Sequence, residues 1–185
     1  MVVGATSACD ENNITLVTKW LPRADNIKAD QLSRKINHDD WGIRSNVFDL
    51  YNQKWGSYTV DRFATHYNTQ CVRFNSPIWC PGTEAVDAFS QYWGRENNWL
   101  VPPPSLISRV LNKMKRDKAY GTLILPEWKS ASFWPIIHSH IRLAHFIKDL
   151  CYSSEGKNIV KSTGKNGVFA EWPLKFKMLV IKIQF

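Results

Sequence analysis

Three consecutive prolines between an extended segment and a helical pattern are the feature that most restricts how this chain can fold. They stand in NNWLVPPPSLISRVL, residues 97–111. Proline has a fixed φ and no backbone N–H, so it ends a central strand but can begin a helix. The apolar residues that follow repeat at helical spacing and predict a helix over residues 105–118; they are Leu106, Ile107, Val110, Leu111 and Met114. The stretch therefore predicts a strand, a tight corner and a helix.

Strand and helix patterns alternate on both sides of this corner, from residue 47 to about residue 147. The predicted elements are a helix over 48–55, strands over 57–64, 97–101 and 121–125, and a loop rich in Asn, Pro and Gly over 65–84. Such alternation predicts an α/β fold. The chain has 185 residues, 44% of them hydrophobic, which is enough for a core in one domain or in one domain plus part of another.

Basic residues outnumber acidic ones, and much of the excess lies near the C-terminus. The formal net charge is +8, and between residues 142 and 182 eight Lys or Arg stand against three Asp or Glu. A surplus of this size indicates contact with an anionic polymer, most often a nucleic acid, or a charged surface that keeps the chain in solution. On the predicted helix Arg109, Lys113 and Arg116 share one face, as a solvated stripe or as a phosphate-binding one.

The cysteines and the N-terminal segment indicate the cellular compartment of the protein. The four cysteines, Cys9, Cys71, Cys80 and Cys151, form no C-x-x-C pair, and no histidine stands near them at zinc-finger spacing. Residues 1–13 lack the basic start and apolar run of a secretory signal, and the apolar stretches are too short to span a bilayer. These patterns predict reduced thiols, no membrane association and an intracellular location, in the nucleus or the cytoplasm.

The stretch WLPRADNIKADQLSR, residues 20–34, has the most specific local pattern in the chain. It resembles the last strand and helix of the ribonuclease H domain in retroelement reverse transcriptases, over about residues 13–34. In that family the residue matching Asp30 is one of several carboxylates that bind two Mg²⁺ ions. The other carboxylates belong to strands upstream, and only Asp10 and Glu11 precede the match here. The resemblance implies a remnant without ribonuclease H activity of its own; the alternative is that Asp30 caps an ordinary helix.

Two strand ends in the middle region resemble the Dam-type adenine-N6 methyltransferase fold. There an early strand ends in an acidic residue before a small-residue turn, and a later strand ends in Asp/Asn-Pro-Pro-aromatic. Asp61, with Phe63 and Ala64, takes the first place, where it implies a cofactor contact. Val101, Pro102, Pro103 and Pro104 take the second place. The resemblance implies that the strands ending at Val60 and Val101 are parallel neighbours, with Asp61 and Pro102 at carboxyl ends.

The residues that the methyltransferase reaction needs are replaced at both strand ends. An adenine amino group is held by a side-chain acceptor and a proline carbonyl while an aromatic ring stacks on the base, but Val101 offers no acceptor and Pro104 no aromatic ring. The turn RFATHYN also lacks the glycine expected next to S-adenosylmethionine. We therefore expect no cofactor, with S-adenosylmethionine bound only if the methyltransferase domain is functional and Mg²⁺ belonging to the parent ribonuclease H. The alternative for Pro102–Pro104 is a strand stop and helix start.

Together these strings resemble the polyprotein of DIRS/Ngaro-type retrotransposons, which integrate with a tyrosine recombinase. The similarity covers about residues 13–137 and includes TVDRFATHYNTQCVRFNSP and GTLILPEWKSASFWP. It implies a ribonuclease H remnant over 1–40, a Rossmann-like, methyltransferase-type layered α/β domain over 41–147, and a basic tail or linker over 148–185 with a possible terminal strand.

The function that this resemblance implies is a polyprotein fragment that is not an enzyme by itself and associates with nucleic acid, either DNA or an RNA–DNA hybrid. The alternatives are an active DNA adenine-N6 methyltransferase and a domesticated protein-interaction module. The oligomeric state stays open.

Overall fold

The computed structural model describes residues 41–138, 142–153, 159–162, 169 and 174–185, together with four isolated residues before position 23. The chain divides into two units, Met1–Lys35 and Ile36–Phe185. The fold below is that of the second unit. Apart from those four isolated residues, the predicted ribonuclease H segment, including Asp30, lies outside the described residues.

Nine strands and three α-helices occur in the described part of the second unit. In chain order they are β1 (Trp41–Ile43), α1 (Ser45–Trp55), β2 (Val60–Asp61), β3 (Asn75–Ser76), β4 (Ala85–Val86), β5 (Asn97–Leu100), α2 (Ile107–Arg116), β6 (Tyr120–Pro126), α3 (Trp134–Ile137), β7 (Ile147–Ser153), β8 (Val160–Ser162) and β9 (Met178–Gln184). The protein therefore has a mixed α/β fold, as the alternating pattern predicts.

The central sheet has five strands in the order β2-β5-β6-β9-β7. β2, β5 and β6 are parallel, while β9 runs antiparallel to both of its neighbours, β6 and β7. A parallel bridge from Asp61 to Phe74 joins β2 to the residue before β3, and β3 pairs in parallel with β4. β1 and β8 form a separate antiparallel pair.

The two longer helices cover opposite faces of this sheet. α1 buries Val47, Phe48, Tyr51 and Trp55 in a cluster that also holds Trp99 of β5. α2 buries Ile107, Val110, Leu111 and Met114 in a second cluster with Leu100 of the same strand. Adjacent residues of a strand point to opposite faces, so the sheet separates two apolar layers. The Lys54–Asp149 ion pair, 2.9 Å, also connects α1 to β7.

The predicted elements near the triple proline are confirmed with small shifts in their ends. β5 and β6 lie where the strands were expected, α2 begins two residues later than predicted, and α1 begins three residues earlier. The strand predicted over residues 57–64 is short, because only Val60 and Asp61 are assigned to it.

The C-terminal segment is part of the central sheet. β9 lies between β6 and β7, and its buried residues pack into both apolar layers. The boundary predicted at residue 148 falls inside β7, and residues 36–185 form one unit. Among the described basic residues of this segment, Lys148 lies on β7, Lys161 on β8 and Lys182 on β9, and β9 stands where the sequence suggests a terminal strand.

Candidate site at the switch point of the sheet

The path of the chain reverses between β2 and β5. From β2 the chain continues to β3 and β4 on one side, and then returns to β5 on the other side of β2. In open α/β sheets such a switch point forms a crevice at the carboxyl ends of the strands, where ligands bind. Val60 pairs with Asn98 and Asp61 with Trp99, so the predicted parallel neighbours are confirmed. Asp61 and Pro102 stand at the carboxyl ends of these two strands.

Asp61 holds the loop that follows its own strand. The side chain is only 3% exposed, and its carboxylate oxygens accept hydrogen bonds from the backbone N–H of Phe63 at 3.4 Å and of Gln70 at 3.2 Å. Burial, together with the negative charge of Asp61, raises the pKa of the neighbouring Cys71 thiol to about 12. The carboxylate is thus used inside the protein to close the loop.

The crevice beside Asp61 is nearly filled. Its remaining cavity is about 10 Å³, the order of one water molecule, and Trp41, Ile43, Trp99 and Val101 are among the residues that line it. Trp41 comes from β1 and stacks on Phe169 with ring centroids 4.3 Å apart. Next to it, a groove of about 150 Å³ opens between β1, the loop at residues 67–70 and Lys161.

The three prolines take the place between β5 and α2 that turn chemistry predicts. Pro102 is buried and Pro103 is exposed, while Pro104 begins a 3-10 turn, Pro104–Leu106, that leads into α2. The Leu106 N–H donates to the Pro103 carbonyl at 2.9 Å. Val101 is buried in the apolar layer under α1. This geometry agrees with the reading of the prolines as a strand stop and helix start.

The predicted stripe of cations on α2 needs one correction. Lys113 is 7% exposed, forms an ion pair with Asp117 at 2.6 Å and lies over the ring of Trp93. Lys113 is therefore not available to a phosphate. Arg109 is exposed and lies 3.8 Å from the ring centroid of Phe89, and Arg116 is exposed beside Asp117.

A buried arginine next to Asp61 was not predicted from the sequence. Arg62 donates through Nε to Asn98 Oδ1 at 2.8 Å, through Nη1 to Asn75 Oδ1 at 2.8 Å and through Nη2 to the Tyr92 carbonyl at 3.3 Å. Burial lowers its pKa to about 10. The guanidinium ties β2, β3 and β5 together, and local sequence gave no signal for it because its partners lie 13 to 36 positions away.

In the part of the chain that the structure describes, no group of three or more His, Cys, Asp or Glu is placed to hold a metal ion. No helix among the same residues has the length and apolar character needed to cross a membrane. No protein-family model matches the chain, and no curated protein matches it significantly.

Proposed function

We propose that this chain is a non-catalytic, nucleic-acid-associated segment of a retrotransposon polyprotein, built on a Rossmann-like, methyltransferase-type scaffold that no longer binds its cofactor. The observation that carries the proposal is the bonding of Asp61 and the lack of space beside it at the switch point. Asp61 stands at the carboxyl end of β2 beside β5, where a cofactor contact is expected, yet it binds its own loop and the crevice beside it is nearly filled.

The loss of catalysis follows from the residues at the end of β5. Methylation of an adenine amino group needs an acceptor for its hydrogens, a stacking surface and a cofactor within reach. Val101 is buried and apolar, and Pro104 begins a 3-10 turn. Trp41 and Ile43 of β1 also line the remaining space.

The first prediction is that the chain neither binds S-adenosylmethionine nor methylates DNA. Isothermal titration with S-adenosylmethionine is expected to give no saturable heat, because the crevice holds about one water molecule. Transfer of radiolabelled methyl groups to adenine-containing DNA should stay at background, with an active adenine methyltransferase as the positive control. The variant Trp41→Ala opens space without restoring an acceptor, so it should also transfer no methyl groups. Methylation by the unaltered chain would refute the loss of catalysis.

Association with nucleic acid is supported by charge. The net charge is +8, and exposed cations lie on and just after α2. They are Arg109, Lys115, Arg116 and Lys118. Phosphate contacts by such residues release counterions, which makes binding weaker as salt rises.

The second prediction is that binding to nucleic acid is independent of sequence and falls steeply with salt. The triple variant Arg109→Gln, Lys115→Gln, Arg116→Gln should reduce the slope of log K against log salt by up to about three, near one per lost phosphate contact. The control is Lys161→Gln, because Lys161 is exposed on β8, which pairs with β1 and not with the central sheet. Fluorescence anisotropy between 50 and 200 mM salt measures both.

Two results would count against the association. One is no detectable binding at the lowest salt, which would favour a protein-interaction module. The other is an unchanged slope in the triple variant. Deleting residues 148–185 is not a suitable test, since it removes β9 from the interior of the sheet and β7 from its edge.

A further inference from the structure

An exposed aromatic side chain stands on an anchored turn before β5. Tyr92 is 62% exposed, although its neighbour Trp93 is fully buried. The Trp93 backbone N–H donates to Asp117 Oδ2 at 3.0 Å, and its indole N–H donates to the Ala88 carbonyl at 2.8 Å. Arg62 binds the Tyr92 carbonyl. The backbone that presents Tyr92 is therefore fixed, so a ligand that binds here does not have to order the turn.

Three basic residues adjoin the backbone against which this tyrosine lies. Its hydroxyl lies against Gly94, where a Cβ would overlap it, and the same Cβ would meet the Asp117 carbonyl. Arg95 directly follows Gly94, and Arg116 and Lys118 flank Asp117; all three are exposed. We call Tyr92, Arg95, Arg116 and Lys118 the Tyr92 surface.

Asp117 lies next to the Tyr92 surface but does not cancel the positive charge of its basic residues. Asp117 is buried and forms ion pairs with Lys113 at 2.6 Å and with Arg116 at 3.3 Å. Lys113 and Asp117 together are neutral, so the exposed cations give the surface a positive potential. An anionic polymer is the partner that such a potential attracts.

A second exposed tyrosine lies at the same edge of the sheet. The Asn98 side-chain amide donates to the carbonyls of Trp93, Glu96 and Tyr120, so the turn at 93–96 and the start of β6 are adjacent. Tyr120 is 40% exposed. Beyond it a groove of about 280 Å³ opens, and its lining includes Lys182. This edge holds the amino ends of the parallel strands, opposite to the switch point.

We propose that the Tyr92 surface binds single-stranded nucleic acid, with a base stacked on Tyr92 and phosphates held by Arg95, Arg116 and Lys118. The inference rests on the proposed association with nucleic acid and specifies its form. An exposed ring with cations nearby suits an unpaired base, since a duplex keeps the faces of its bases stacked on each other. Tyr120 extends the same edge toward the groove and offers a second platform.

The test measures affinity for a fluorescein-labelled 20-nucleotide thymidine strand and for a duplex of equal length at 50 mM salt. Tyr92→Ala should weaken single-strand binding about 5- to 150-fold, the size of one lost stacking contact, and change duplex binding less than twofold. Tyr92→Trp should keep or increase the affinity. The matched control is Tyr152→Ala. Tyr152 is 57% exposed on β7, the outermost strand on the side of the sheet away from β2 and β5.

Each outcome supports the inference or overturns it. An unchanged single-strand affinity in Tyr92→Ala overturns it, and so does an equal loss on single strand and duplex. Binding that the α2 triple variant weakens but Tyr92→Ala does not would leave the proposed association intact and remove the stacking. No binding of either nucleic acid overturns both. Thermal unfolding should shift by less than about 2 °C in Tyr92→Ala, since the replaced side chain is exposed.

Discussion

Replacing Gly121 by alanine is expected to destabilise the protein severely. Gly121 lies in β6 opposite Asn98 of β5, with a φ of 154° that L side chains rarely adopt. A Cβ at this position would overlap the Asn98 carbonyl oxygen and come within 2.9 Å of the Asn98 Cβ. The obstructing atoms belong to a strand backbone in the middle of the sheet, so they cannot move without separating β5 from β6.

The loss should exceed about 4 kcal/mol, which is a large part of the 5–15 kcal/mol that stabilises an ordinary domain. Asn98 also accepts the hydrogen bond from Arg62 Nε, so its displacement would disturb the buried guanidinium as well. Guanidinium unfolding followed by circular dichroism measures the effect. The matched control is Gly42→Ala in β1, because its nearest neighbour would be Asn68 Cβ at 3.8 Å, an ordinary contact. A cooperative transition in Gly121→Ala within 1 kcal/mol of the wild type would contradict this account.

Local patterns were sufficient for the elements around the triple proline. The apolar residues of α2 recur every three or four positions, and proline both ends β5 and begins the turn before α2, so each boundary has a local cause. The adjacency of β2 and β5 came from the resemblance and was confirmed. The position of β9 between β6 and β7 depends on its pairing with residues of β6, which lie more than fifty positions away in sequence. No local pattern encodes such a pairing.

The candidate sites were less predictable than the strands. Helical geometry places Lys113 about 40° from Arg109, at the margin of the exposed face, and tertiary contacts decide such marginal positions. Here Trp93 and Asp117 draw the ammonium inward. Likewise, the resemblance placed Asp61 at a strand end, but its role in closing the loop depends on the hydrogen bond from Gln70. The small size of the remaining crevice depends on Trp41, which comes from β1.

Replacing Asp117 by asparagine is expected to destabilise the protein by about 3–5 kcal/mol, the usual cost of leaving a buried charge without its partner. Asparagine keeps the size of the side chain and can still accept the Trp93 N–H, so the variant removes mainly the charge that faces Lys113. Lys113 is itself buried and cannot reach water easily. The double variant Lys113→Met, Asp117→Asn should recover part of the loss, since it leaves no unpaired ammonium. Arg116→Gln is the exposed control, because Arg116 is 70% exposed, and should cost less than about 1 kcal/mol.

Asp117 should also make the free energy of unfolding depend on pH. Burial by itself would raise the pKa of Asp117, but hydrogen bonds from Lys113, the Trp93 N–H and Arg116 outweigh it, so the pKa lies below its ordinary value. A carboxyl group with a lowered pKa in the folded state stabilises the protein fully above the pKa of the unfolded chain, near 3.9, and this contribution is lost as pH falls through the folded pKa. Urea unfolding between pH 7 and pH 2.5 should therefore show a smaller acid loss in Asp117→Asn than in the wild type. Equal slopes below pH 4 would mean that the carboxylate is not ionised against Lys113 in the folded protein.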